Sequence, residues 1–224
     1  MMPLVHQLPH SQYCLPITRA LGALGVEHRT VDVSNADRTV VIRLTGGAHY
    51  QIPVLEHDGK IVFDGSEGGT DGLDVARYVD RTWGRGRLFP LEHEGVQAVL
   101  VPHIEGEVEG VAFKLADIHH VPAIADLVER TMVIRHKERR YGRGCIDEWR
   151  AGREALSAQV ATLLRPFDAM LAVHPFLLGA QPVYADFALF GVLANLTFND
   201  WNPFPPGLPR LAEWFARMKT YRFD

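Results

Sequence analysis

The feature of this 224-residue sequence that most restricts its fold is a change of hydrophobic period before the midpoint of the chain. Short strand-like runs alternate with helical patterns before that change, and they disappear after it. From Val96 to Ile118 the apolar residues instead recur every three or four positions, which is the spacing of one face of a helix. We therefore expect a small α/β domain over residues 1–83, a linker over 84–92 and an all-helical domain over 93–224.

The first part of the chain predicts the order β-α-β, a gap, and then β-β-α. The expected elements outside the hairpin are a strand over Pro3–Leu8, a helix over Pro16–Gly25, a strand over Glu27–Val33 and a helix over Asp71–Trp83. Ile52–Phe63 contains two apolar runs around the dipeptide Asp58-Gly59, a strong signal for a two-residue hairpin turn. These elements together predict a mixed four-stranded sheet that carries helices.

The second part of the chain predicts a bundle of five helices. The expected helices are 96–118, bent at Pro102, and then Ile124–Tyr141, Arg153–Leu171, Ala185–Phe198 and Leu208–Met218. The fourth helix of this series is apolar on nearly every face, which is typical of a helix at the centre of a bundle.

Composition argues against several classes of protein. Hydrophobic residues make up 47% of the chain and its net charge is −4, so nothing attracts it generally to nucleic acid or anionic lipid. No apolar run reaches the roughly 20 residues of a membrane-spanning helix, and the N-terminus lacks the pattern of a signal peptide. Two cysteines, Cys14 and Cys145, favour neither a disulfide framework nor a cysteine zinc site. We expect a cytoplasmic protein without a metal, a nucleic-acid partner or a membrane partner.

Four stretches, in this order and spacing, resemble the cytosolic glutathione S-transferase family. They are SQYCLPITRAL, YQIPVLEHDGKIVFDG, LDVARYVD and PFLLGAQPVYADFAL. The resemblance implies an N-terminal thioredoxin-like domain joined to an all-helical domain, glutathione as the co-substrate, and a homodimer. TGGAHYQIPV and WRAGREAL are also similar to the branch of this family that is related to bacterial β-aryl etherases.

The chemistry of glutathione requires a group that stabilises its thiolate, since a free thiol has a pKa of about 8.5. Lowering that pKa by about two units takes roughly 2.7 kcal/mol, which a hydroxyl hydrogen bond and a helix N-terminus can supply together. The resemblance implies that Ser11, just before the first helix, is this catalytic hydroxyl, where a redox relative has a nucleophilic cysteine. Three alternatives stay open: Ser11 as a helix cap, Tyr13 as the hydroxyl that contacts glutathione, or thiol chemistry at Cys14.

The resemblance also implies how the rest of glutathione is held. Pro53 is expected to follow a cis peptide bond, so that the backbone of Ile52 can pair with the cysteinyl part of the ligand. In the family an acidic residue and a serine then hold the γ-glutamyl end. Here the segment DGSEGGTDG departs from that pattern by an apparent insertion, and it offers Ser66 for the carboxylate and Asp64 or Glu67 for the ammonium group. A flexible loop that binds nothing is the alternative.

The expected function is activation of glutathione for attack on a small apolar electrophile, by conjugation or by ether-type cleavage. Tyr13, His103, Phe113 and Trp201 are expected in the pocket of that second substrate. Asp186 is expected to be structural, because an acid in the first turn of a buried helix satisfies free N–H groups. The alternative function is a non-catalytic interaction or regulatory module on the same scaffold.

Overall fold

A mixed sheet occupies the N-terminal part of the computed structural model, which describes residues 1–224. Its strands are β1 (Leu4–Gln7), β2 (Arg29–Asp32), β3 (Val54–His57) and β4 (Lys60–Val62), in the order β2-β1-β3-β4. β1 runs parallel to β2 and antiparallel to β3, and β4 is antiparallel to β3. The predicted mixed four-stranded sheet is confirmed.

Three helices lie in the same N-terminal part of the chain as this sheet. They are α1 (Cys14–Ala23), α2 (Thr39–Leu44) and α3 (Asp74–Val79), and α3 runs on into a π-helical turn at Asp80–Gly84. The sequence prediction lacks α2, because its run TVVIRL is rich in β-branched residues and is typical of a strand. Val41 of α2 is buried in a small cluster with Val33 and Val54, so packing rather than local preference decides the helix.

The C-terminal part is entirely helical, as predicted. Its helices are α4 (Glu94–His103), α5 (Glu109–Ala123), α6 (Leu127–Tyr141), α7 (Cys145–Ala151), α8 (Arg153–Met170), α9 (Tyr184–Leu196) and α10 (Pro209–Thr220). A π-helical turn at Ile104–Val108 joins α4 to α5 just after Pro102, where a bend was predicted. α7 was not predicted, because its seven residues form a short helix that Gly152 separates from α8. None of these helices combines the length and the apolar character that a membrane-spanning segment needs.

The predicted linker over residues 84–92 stays a prediction. The segment begins at the end of the π-helical turn, and Leu91–His93 forms a short 3-10 helix directly before α4. Leu88 and Phe89, in the middle of the segment, are buried. The segment therefore contributes to the core as well as connecting the sheet to the helices.

α9 is the centre of the molecule. Twelve of its 13 residues are buried, and one hydrophobic core of 47 buried residues includes it together with α1 and the helices around it. At Gly191 the backbone of α9 approaches the start of α1 so closely that an added Cβ would lie 2.5 Å from the Gln12 carbonyl oxygen. The chain segment before α1 therefore lies directly against the helical domain.

Asp186, in the first turn of α9, is completely buried and holds three elements together. Its Oδ1 accepts hydrogen bonds from the Leu177 N–H (3.0 Å) and from Nε1 of Trp214 (2.9 Å), and its Oδ2 accepts one from the Val183 N–H (3.0 Å). Burial raises the pKa of Asp186 to about 6, against the lowering effect of these donors. The arrangement supports the structural role expected for Asp186.

Candidate functional site

A cleft of about 920 Å³ lies between the sheet domain and the helices α5 and α6. The sheet side consists of residues 10–13 before α1, residues 35–38 before α2, residues 50–53 before β3, and residues around the start of α3. The other side consists of the π-helical turn and first turns of α5, together with the second half of α6. Loops that precede helices and strands thus face two helices across the cleft.

Ser11 lies in the turn between β1 and α1 and lines this cleft. Only 8% of its surface is exposed. Its carbonyl oxygen accepts the N–H groups of Cys14 (3.0 Å) and Leu15 (2.9 Å), and its Oγ accepts the N–H of Tyr13 (3.2 Å). The side chain therefore closes the turn before α1, but it does not cap the helix, whose N-cap position Tyr13 has no side-chain cap. Its single O–H proton can be donated to Cys14 or to a ligand.

Cys14 and Tyr13 differ from Ser11 in exposure and acidity. Cys14 is fully buried, and burial raises the pKa of its thiol to about 11 in spite of hydrogen bonds from the Leu8 backbone and the Ser11 hydroxyl. Tyr13 lines the cleft with 40% of its surface exposed. Partial burial and the carboxylates of Glu109 and Glu105 raise the pKa of Tyr13 well above its usual value. Both groups therefore stay protonated at neutral pH.

Ile52 and Pro53 line the cleft next to the start of β3. The peptide bond between them is cis, as predicted. No backbone or side-chain group of the protein forms a hydrogen bond with the backbone of Ile52. Its N–H and C=O groups are therefore free to pair with a ligand.

Asp64 is the only one of the three candidates for the γ-glutamyl end that lines the cleft. Its Oδ1 accepts the N–H of Val75 in the first turn of α3 (3.4 Å). Burial, with a smaller effect of the carboxylates of Asp74 and Asp71, raises the pKa of Asp64 to about 6 against the lowering effect of the Val75 hydrogen bond. A cationic group of a ligand would favour the ionised form of this carboxyl group.

Ser66 and Glu67, the other two candidates, lie outside the cleft. Ser66 Oγ accepts the N–H of Phe63 (3.0 Å), and the Glu67 carboxylate pairs with Arg81 (3.0 Å). The N–H groups of Gly65 and Glu67 both donate to Oδ2 of Asp74, at 3.0 and 2.9 Å. The apparent insertion is therefore held by bonds within its own loop and by Asp74.

The four candidates for the second-substrate pocket divide into two pairs. Tyr13 and Phe113 line the cleft. His103 instead stacks on Phe167 at 6.1 Å between ring centroids, and Trp201 packs against His10 at 5.6 Å. The structure thus brings together two of the four predicted residues.

Two half-buried carboxyl groups in the cleft, Glu105 and Glu109, were not predicted. Burial raises the pKa of each to about 7; the carboxylate of Asp64 adds to the effect at Glu105, and a hydrogen bond from Gln12 opposes it at Glu109. Gln12 Nε2 donates that hydrogen bond to Glu109 Oε1 at 2.6 Å. The signal in the sequence is their spacing: the two glutamates and Phe113 recur every four residues.

Basic side chains also line the cleft. They are Arg38 from the segment before α2, and Lys137, Arg139 and Arg140 from α6. Lys137 Nζ pairs with Asp117 Oδ2 (2.6 Å), whereas the buried Nη1 of Arg38 has no hydrogen-bond partner. The cleft thus offers both acidic and basic groups, which a zwitterionic peptide requires.

His10 also lines the cleft, beside Ser11 in the chain. Its ring packs against His120, tilted by 37° with 3.9 Å between ring centroids, and the Nδ2 of Asn195 donates to its carbonyl oxygen (2.6 Å). Burial and the neighbouring His120 lower the pKa of His10 to about 3. The imidazole is therefore neutral at physiological pH.

Comparison with known proteins assigns the fold. Residues 144–217 match the family model "Glutathione S-transferase, C-terminal domain". A glutathione transferase from Phanerochaete chrysosporium, GSTFuA3, is 18% identical with a TM-score of 0.81, covering 100% of this chain and 98% of that chain. Glutaredoxin 2 from Salmonella typhimurium, in complex with glutathione, is 19% identical with a TM-score of 0.72, covering 96% and 94%. A theta class glutathione S-transferase from Xanthomonas axonopodis pv. citri, with glutathione bound, is 17% identical with a TM-score of 0.64, covering 96% and 91%. No curated protein sequence matches the chain significantly.

The protein therefore has the two-domain fold of the glutathione transferases. The segment over residues 144–217 is similar to the C-terminal domain of the glutathione S-transferases, and this match confirms the resemblance identified from the sequence. The closer similarity to the β-aryl etherase branch stays a prediction.

Proposed function

We propose that the protein binds glutathione in the cleft and activates the glutathione thiol for attack on an electrophilic carbon. The observation that carries this proposal is the position of Ser11, whose hydroxyl group lies at the start of α1 and lines the cleft with Ile52 and Pro53. A thiolate accepts a hydrogen bond from a hydroxyl group more strongly than a thiol does. Ser11 would therefore lower the pKa of a thiol bound beside it.

The walls of the cleft match the three parts of glutathione. The free backbone N–H and C=O of Ile52 would pair with the cysteinyl residue, in the manner of a strand added to a sheet edge. Asp64 and Glu105, which interact electrostatically across the cleft, would receive the γ-glutamyl ammonium group. Arg38, which lines the cleft, would receive the glycyl carboxylate. Ser66 and Glu67 stay predictions that their positions do not support.

The second substrate would lie on the other side of the bound thiolate. Phe113 and Tyr13 provide aromatic surface there, which suits a small apolar electrophile. Cys14 is a poor candidate for the nucleophile, since burial keeps its thiol protonated and away from solvent. Two of the similar structures contain glutathione, which supports the same ligand here.

The proposal includes a homodimer and a cytoplasmic location. Three large apolar side chains before and on α4 are exposed: Leu91 by 87%, Val96 by 50% and Val99 by 73%. Val96 and Val99 are three residues apart and share a face of the helix. An exposed apolar face of this kind is typical of a surface that another protein covers.

The test is a titration of the full-length protein with glutathione, followed by calorimetry and by the ultraviolet absorbance of the thiolate as the pH is varied. We expect the bound thiol to have a pKa about two units below its free value, which corresponds to roughly 2.7 kcal/mol. Ser11→Ala should bring that pKa back towards the free value, whereas Ser66→Ala, outside the cleft, should not change it. Absence of binding at millimolar glutathione would favour the non-catalytic interaction module, and an unchanged thiol pKa in Ser11→Ala would remove Ser11 from the mechanism.

A further inference from the structure

Glu109 is connected to the segment that carries the proposed thiol site. It is the first residue of α5, directly after the π-helical turn, and its side chain lines the cleft. Its Oε1 lies 2.6 Å from Nε2 of Gln12, and Gln12 is the residue after Ser11. The carboxyl group of Glu109 is therefore fixed against the chain segment that carries the Ser11 hydroxyl.

The second oxygen of Glu109 is available to a ligand. Oε2 has no hydrogen-bond or ion-pair partner in the protein, and it is not among the side-chain oxygens that are sealed from the surface without a partner. Phe113 lies one helical turn further along α5 and lines the same cleft. An electrophile that packs on Phe113 while it meets the thiolate would therefore have Glu109 Oε2 beside its reacting carbon.

We propose that Glu109 is a catalytic general acid, which donates a proton to the leaving group as the glutathione sulfur attacks. The inference rests on the proposed function and deepens it, because it assigns substrates whose leaving group departs as a strong base. The C–S bond forms, the bond from carbon to the leaving atom breaks, and its electron pair stays on that atom. That atom takes the proton of Glu109, and Glu109 regains a proton from solvent. The thiol proton leaves to solvent when glutathione binds.

The electrostatic surroundings of Glu109 suit this role. Burial raises the pKa of Glu109 to about 7, in spite of the Gln12 hydrogen bond and the charge of Lys137. Near neutral pH a large share of the carboxyl groups therefore carries a proton, which is the condition for effective general-acid catalysis. The titratable and charged groups that face Glu109 are Tyr13, Glu105, Asp117, Lys137, Arg140 and Tyr141.

The sign of the pH dependence follows from these groups. The acid form of Glu109 is lost as the pH rises through about 7, whereas the glutathione thiolate is gained as the pH rises through the pKa of the bound thiol. We therefore expect a bell-shaped profile of kcat/KM for substrates that need the proton. For a halide leaving group, which leaves without a proton, only the rising limb should be prominent.

The test compares two kinds of p-nitrobenzyl electrophile, with glutathione and the full-length protein. The first is p-nitrobenzyl chloride. The second is a series of p-nitrobenzyl aryl ethers whose phenolate leaving groups increase in basicity. For each variant we compare kcat/KM for the chloride with kcat/KM for the ether that has the most basic phenolate leaving group. In Glu109→Gln we expect the ratio of the first to the second to rise by about a hundredfold or more. The dependence of log kcat/KM on the phenol pKa should become steeper. Glu107→Gln is the matched control and should match the wild type, because Glu107 is an exposed residue of the preceding π-helical turn and lies outside the cleft.

The outcomes separate the two proposals. If the wild type and Glu109→Gln show the same ratio and the same slope, or if the wild type accepts the chloride but none of the ethers, Glu109 is not a general acid. If the wild type neither binds glutathione nor accepts the chloride, the proposed function itself is wrong and the role of Glu109 falls with it.

Discussion

Replacing Asp186 by alanine should lower the free energy of unfolding by about 3 kcal/mol. The carboxylate accepts hydrogen bonds from three N–H groups, those of Leu177, Val183 and Trp214, and its surroundings exclude water. Leaving three buried donors without a partner costs about 6 kcal/mol, at roughly 2 kcal/mol each. The pKa of the carboxyl group is about 6 even with these donors present, so keeping it ionised at neutral pH costs about 3 kcal/mol, which its removal relieves. The difference between these two contributions, about 3 kcal/mol, is a large share of the free energy of unfolding of a typical domain.

The assay is equilibrium unfolding in urea at neutral pH, followed by circular dichroism and tryptophan fluorescence. Asp186→Asn should cost about 1–2 kcal/mol, because its amide oxygen can still serve the two donors of Oδ1 while the Val183 N–H loses its acceptor. Asp168→Ala is the matched control: Asp168 is also buried, but it accepts only the Leu211 N–H (2.9 Å) and the more exposed Arg210 (3.3 Å). An Asp186→Ala variant no less stable than Asp168→Ala would refute this account of the buried carboxylate.

Three further predictions concern the ligand, the pH and the assembly. Glu105→Gln should weaken glutathione binding about tenfold by calorimetry, but it should not affect an analogue that lacks the γ-glutamyl ammonium group; equal losses would contradict the assignment. Burial holds the pKa of His10 at about 3, so the unfolded chain binds a proton at this residue first as the pH falls. Between about pH 7 and pH 5 the wild type should therefore lose about 2 kcal/mol more of its free energy of unfolding than His10→Gln, as measured in urea. Equal losses in the two proteins would argue against a buried neutral imidazole. Val99→Asp should produce monomers in light scattering, whereas Val173→Asp, equally exposed in the turn after α8, should not; a dimer in both would place the interface elsewhere.

The architecture was predictable from local patterns wherever burial of one face determines whether a segment forms a helix or a strand. The sheet and the long helices follow from apolar residues at spacings of two, three and four. α2 did not follow, because its β-branched run favours a strand and only the contact of Val41 with Val33 and Val54 makes it a buried helix. Such a contact joins residues that are distant in the chain, so no local window contains it.

The candidate site was predictable where a motif places a residue on a loop of the sheet domain. Ser11 and Pro53 belong to such loops, and both line the cleft. Glu105 and Glu109 were missed because acidic residues on an amphipathic helix normally face solvent, and only the position of α5 across from the sheet domain partly buries them. Ser66 was predicted for the γ-glutamyl carboxylate because the resembled family uses an acidic residue and a serine there, but the bonds of the inserted loop to Asp74 hold it away from the cleft.

The contact at Gly191 restricts how parts of this protein can be exchanged. A methyl group at this position would lie 2.5 Å from both the Gln12 carbonyl oxygen and Cγ of Pro16, so a side chain there would displace the segment that carries Ser11. A helix of the other domain therefore limits where the chain segment with the proposed thiol site can lie. A chimera that combines the first domain of this protein with the helical domain of a relative should keep its thiol chemistry only if that relative also has a glycine at the matching turn of its central helix.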